Sequence, residues 1–124
     1  MKHTMSRLKH YEIESEGDVL VIIAKTSMAG ATGPDLMSDK QALDAHVADN
    51  ESTKVVVDFH RTTHFDSTVV NTLTQLWNRL KTSDGRMAVC CLSPFGREIL
   101  AAARLDTILD IFPTHPEAIG HVRQ

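Results

Sequence analysis

The feature that most constrains this chain is a strand, a short polar loop and a long helix in direct succession between Val55 and Thr82. Val55-Val56-Val57-Asp58-Phe59 is an apolar, β-branched run, the pattern of a strand buried on both faces. From Ser67 to Thr82 the period changes. Val69, Val70, Leu73, Leu76, Trp77 and Leu80 recur at spacings of three, four and seven, as on the apolar face of an amphipathic helix. Asp66 and Ser67 both cap helices well, so the helix is expected to start there. A serine hydroxyl is thereby placed at a helix N-terminus, where unpaired N–H groups and the positive end of the helix dipole favour an added negative charge.

The flanking segments repeat this alternation. Tyr11 to Glu14 alternates apolar and polar residues, as a half-exposed edge strand does, and Glu16-Gly17-Asp18 turns it into an apolar strand from Val19 to Ala24. The stretch from Lys25 to Pro34 is a loop. Pro34 opens a helix to about Ala48, with Leu36, Leu43 and Val47 facing the core. Gly85 is expected as the left-handed residue that ends the Ser67–Thr82 helix. Met87 to Leu92 is a further buried strand. Ser93-Pro94 starts a helix whose apolar stripe is Phe95, Ile99, Leu100 and Ala103. Ile108 to Phe112 is a last short strand, and Thr114-His115-Pro116-Glu117 reads as a capping box before a terminal helix through Val122. The order β-β-α-β-α-β-α-β-α implies an α/β fold with a mixed, largely parallel sheet and an antiparallel edge. At 124 residues, 42% of them apolar, the chain is expected to form a single domain over residues 1–124.

Placed in this frame, Asp66-Ser67-Thr68 resembles the phosphoacceptor region of STAS domains, the family that includes anti-sigma factor antagonists. The resemblance extends through Cys91-Leu92-Ser93-Pro94, Leu105-Asp106-Thr107-Ile108 and Pro116-Glu117-Ala118, and covers Val19 to Val122. It implies a regulatory binding module that binds an anti-sigma factor, itself a serine kinase of the histidine-kinase-like ATPase type. The serine after the motif aspartate accepts the phosphate in that family, which is Ser67 here. Asp66, Ser67, Thr68 and Val69 are the implied partner-binding residues. Phosphate adds about −1.5 to −2 charges, enough to break a contact made to the bare hydroxyl. The alternative within the same family is a non-switching STAS subunit or scaffold of a lipid-transport or stress-signalling assembly, in which Ser67 only caps the helix. The chain departs from the family pattern at two places. Val69 stands where glycine is usual, and a branched side chain there would narrow the choice of partner. The loop from Lys25 to Pro34 carries no Asp or Glu, where the antagonists often have an acidic residue that takes part in recognition.

Other chemistries find less support. Ser67, His64 and Asp66 lack the glycines of a nucleophile elbow and lie too close in sequence for triad geometry, so no catalytic residue is assigned and the chain is read as a non-enzyme. Gly30 and Gly33 have the wrong spacing for a phosphate-cradling loop and no following Lys, so no cofactor is expected. His60 and His64 flank the loop beside Asp58 and Asp66, but no cysteine or third histidine lies near in sequence, and no metal site is assigned. A net charge of −3 without a basic cluster argues against nucleic acid. Cys90 and Cys91 sit in a strand-like run, so their side chains are expected on opposite faces, as reduced core residues of a cytoplasmic protein. No stretch reaches the roughly 20 apolar residues that span a bilayer, so membrane insertion is not expected. The oligomeric state is left open by the sequence.

Overall fold

The computed structural model describes residues 2–7, 11–25, 41–43, 45, 54–62 and 67–124. Its centre is a six-stranded sheet in which the strands lie in chain order. These are β1 (Lys2–Arg7), β2 (Tyr11–Glu16), β3 (Val19–Ala24), β4 (Lys54–Asp58), β5 (Arg86–Cys90) and β6 (Asp110–Phe112). β1, β2 and β3 form an antiparallel meander, and β3 to β6 run parallel. The α/β, largely parallel architecture therefore stands. The expectation that β2 is the edge strand is corrected: β1 pairs outside it, with an irregularity in register between Thr4 and Ser6. Lys-His-Thr-Met-Ser-Arg has no apolar alternation to announce a strand.

The helices are α1 (Ser67–Thr82), α2 (Pro94–Ala102) and α3 (His115–Arg123), with a 3₁₀ turn at Leu105–Thr107. Residues 41–43 and 45 are also helical. Because strands β3 to β6 are adjacent in chain order, right-handed crossovers between them all fall on one face of the sheet. On that face Leu43, Val69, Leu73, Leu76, Leu80 and Leu100 pack against Val55, Val57, Phe59 and Val89. α3 lies on the other face. There Ala118, Ile119 and Val122 cover Val21, Val56, Ala88 and Cys90. β3, β4 and β5 are thus covered from both sides, which is why they read as unbroken apolar runs.

Local chemistry sets the helix ends. Ser93 caps α2, its Oγ accepting from the Gly96 N–H at 3.1 Å, with Pro94 in the first turn. At α3 the Thr114 Oγ1 accepts from the Glu117 N–H at 3.4 Å and donates to Glu117 Oε1 at 3.0 Å. α1 ends differently from expectation. The left-handed residue is Asp84 (φ 55°), while Gly85 follows it and donates its N–H to Leu80 O at 2.7 Å. Aspartate is one of the few residues that adopts this conformation readily, so the glycine was not needed there. Phe95, expected in the core stripe of α2, is 39% exposed, and Ile108, expected in the last strand, is 47% exposed. The 3₁₀ turn redirects the chain so that Leu105 and Leu109 are buried instead. Of the helix expected between Pro34 and Ala48, Leu43 is in the core, while Leu36 and Val47 lie outside the described residues.

Substitutions at two positions test this packing and capping. Val69 is 1% exposed, so Val69→Gly should cost about 2–4 kcal/mol in urea unfolding, from lost burial and weaker helix propensity. A loss below about 0.5 kcal/mol would contradict its place in the core. Ser93→Ala should cost about 1 kcal/mol, with most of that restored in Ser93→Asp, since both side chains cap.

Candidate functional site

The chain enters the expected site from β4. The Phe59 N–H donates to Cys90 O at 3.1 Å, extending the β4–β5 pairing by one residue, and the Phe59 ring is buried. The Thr62 N–H then closes a turn onto Phe59 O at 3.1 Å. Arg61 Nη1 donates to Glu12 Oε2 at 2.6 Å and fastens this turn to β2. Asp66, together with His64, lies outside the described residues.

Ser67 is the first residue of the 16-residue helix α1, and Thr68 the second. The first turn of α1 contains no acidic residue and its last turn carries Arg79 and Lys81. The positive end of the dipole at Ser67 is therefore not offset within the helix, and the basic last turn matches the opposite end. Val69 is buried against Leu73 and the strands beneath. Its side chain faces the core, so it shapes the start of α1 from below. The loop expected to lack an acidic residue falls almost entirely outside the described residues. Trp77 lies partly buried against the core, with the Lys81 Nζ 4.6 Å from its ring centroid. Asn78 and Arg79 are exposed, as the helical period requires.

A second group of polar side chains assembles on the α3 face of the sheet, which the sequence reading did not find. Asp58, the last residue of β4, is only 3% exposed. Its Oδ1 accepts from the His60 backbone N–H and lies 2.8 Å from the His60 ring Nδ1. Its Oδ2 lies 2.9 Å from His115 Nδ1. The other ring nitrogen of His115, Nε2, lies 3.1 Å from Glu16 Oε2. Burial pushes the Asp58 carboxyl up, but the bonds from His60 and His115 outweigh it and hold the group below the usual carboxylate range.

The cysteines join this group. Cys91 has φ 63°, which breaks the strand alternation, and both Cys90 and Cys91 pack into the cluster under α3. Their expected placement on opposite faces is corrected for that reason. Both remain free thiols. Burial, then the negative charge of Asp58, pushes both thiols up. Asp58, Cys90 and His115 bring one carboxylate oxygen, one sulfur and one ring nitrogen within 4.8 Å of one another. They are 32 and 25 positions apart in sequence, so local spacing could not reveal them. The available signal was topological: β4 and β5 are adjacent parallel strands, and α3 starts where they end. Among the described residues no helix is long and apolar enough to cross a membrane.

The comparisons with known proteins agree with this fold. The anti-sigma-factor antagonist (STAS) domain protein of Planctomyces limnophilus superposes with a TM-score of 0.80 at 22% identity, over 92% of this chain and 98% of that one. An anti-sigma factor antagonist of Mycobacterium paratuberculosis gives 0.76 at 22% identity, over 100% and 96%. The Bacillus cell fate determinant SpoIIAA, in its phosphorylated form, gives 0.69 at 18% identity, over 90% and 98%. At these identities the likeness is one of fold. No curated protein sequence matches the chain. The family model for the STAS domain matches residues 11–118, nearly the whole length, and the chain belongs to the STAS domain family.

Proposed function

We propose that this STAS domain acts as an anti-sigma factor antagonist. It binds an anti-sigma factor that is also a serine kinase of the histidine-kinase-like ATPase type, in the cytoplasm, and is released by phosphorylation of Ser67. The observation that supports this most is the position of Ser67 as the first residue of α1, directly after β4 and its loop. That is where the family pattern carries its phosphoacceptor, and where a helix dipole without an acidic first turn tolerates a phosphate. Asp66, Ser67 and Thr68 form the contact surface in this reading, with Val69 anchoring them from the core. The domain supplies a binding surface, and the partner supplies the chemistry.

The switch is electrostatic. A phosphate at Ser67 brings about two negative charges and three acceptor oxygens. A partner surface fitted to a neutral hydroxyl would have to desolvate that charge without a counter-ion. Such a mismatch costs about 2–5 kcal/mol at an interface.

The test uses Ser67→Asp and Ser67→Ala in calorimetric titration against the histidine-kinase-like anti-sigma factor of the same organism. The aspartate form should fold normally, because aspartate suits a helix start, yet bind tenfold or more weakly. The alanine form should bind nearly as well as the parent and accept no phosphate from the kinase. Equal affinity of the serine, alanine and aspartate forms would overturn the switch and leave the scaffold reading.

A further inference from the structure

We infer that Asp58, Cys90 and His115 form a binding site for a zinc-class divalent cation, with Glu16 orienting the histidine. The inference is independent of the role of Ser67.

The donor set is the first argument. A thiolate, an imidazole nitrogen and a carboxylate oxygen suit zinc and its spectroscopic stand-in cobalt, whereas magnesium and calcium prefer all-oxygen sets. The three ligand atoms lie within 4.8 Å of one another. Ligands of a tetrahedral zinc lie roughly 3.5 Å apart, given bond lengths of about 2.0–2.3 Å. Closing the group around an ion therefore needs shifts of about an ångström.

The second argument is the wiring of His115. Both of its ring nitrogens face carboxylates, Nδ1 toward Asp58 at 2.9 Å and Nε2 toward Glu16 at 3.1 Å. A neutral imidazole has one N–H, so it can donate to only one of them. A metal ion at Nδ1 would leave the ring N–H to serve Glu16, while His115 and Asp58 meet through the ion. With Nε2–H donating to Glu16, Nδ1 presents its lone pair toward Asp58 and Cys90. A carboxylate behind a histidine in this way fixes the ring and raises its basicity as a ligand.

The third argument is electrostatic. Asp58 is 3% exposed and Cys90 fully buried, and a thiolate beside that carboxylate would be strongly disfavoured alone. A divalent cation between them offsets both charges. Binding releases the Cys90 thiol proton and any proton on Nδ1. The Cys91 thiol lies beside Cys90 and Asp58 but outside the group of three ligand atoms. Glu16 and His115 also line a surface depression with Pro116 and Ile119.

The experiment uses the reduced full chain, loaded with zinc chloride and passed through gel filtration, with metal counted by mass spectrometry. Cobalt chloride titration is followed in the visible and near-ultraviolet. The expected result is one retained zinc per chain and an intense tetrahedral cobalt spectrum with a thiolate charge-transfer band. Cys90→Ser should abolish that band. Glu16→Gln keeps every ligand and changes a side chain at the rim, so its far-ultraviolet dichroism should be unchanged while affinity falls about 10- to 100-fold. It decides the matter if Cys90→Ser does not fold. No retained zinc and no charge-transfer band in the parent would overturn the inference. So would a band that survives Cys90→Ser, or metal affinity indifferent to Glu16→Gln.

Discussion

The structure turns on the double coverage of β4. Helix α1 packs on one face of the sheet and α3 on the other, so the central strand has no side open to water. Val55, Val56 and Val57 meet that constraint with apolar side chains. Asp58 cannot, and a carboxylate at 3% exposure must be satisfied from within. It recruits the backbone and ring of His60 from the following turn, and His115 from the start of α3. One buried charge thereby fixes the path out of β4 and the seat of the terminal helix. The turn out of β4 leads toward Ser67, and the seat of α3 brings His115 to Cys90.

The two faces of the sheet carry different duties for a topological reason. Strands laid down in chain order put their right-handed crossovers on the same side, which places α1 and its serine there. Among the described residues the opposite face is covered by α3, and polar contacts supplement its modest apolar stripe. His121 Nε2 lies 2.7 Å from Asp110 Oδ2, and Arg123 donates to Asp18 and to the Glu16 carbonyl. Lys54 pairs with the same Asp18, beside the Gly17 turn whose φ of 63° suits the hairpin. These exposed pairs contribute little energy each.

Most of this fold was legible in the residues. Long, strongly periodic segments such as Val55–Phe59 and Val69–Leu80 announce themselves because burial on a strand or a helix face forces their spacing. The caps at Ser93 and Thr114 are equally local and were readable. What escaped the sequence reading was set by contacts between distant segments. β1 pairs with β2 and has no apolar signature. Asp84, not Gly85, takes the left-handed position because aspartate tolerates it. The Cys91 backbone leaves the strand alternation, so counting odd and even positions put its thiol on the wrong face. The Asp58–Cys90–His115 group required the sheet order, since its members come from β4, β5 and α3. At the expected site, the start of the helix at Ser67 was legible to the residue, while the orientation of Val69 toward the core followed from the helical period.

The proposed switch requires Ser67 to accept a regulatory phosphate. Phosphopeptide mapping by mass spectrometry, on the protein isolated from its own cells across growth conditions, addresses this without any assumption about the partner. The account predicts a singly phosphorylated fraction with the phosphate on Ser67. A Ser67 that stays unmodified under every condition, or phosphate found only on other residues such as Thr68, would contradict it.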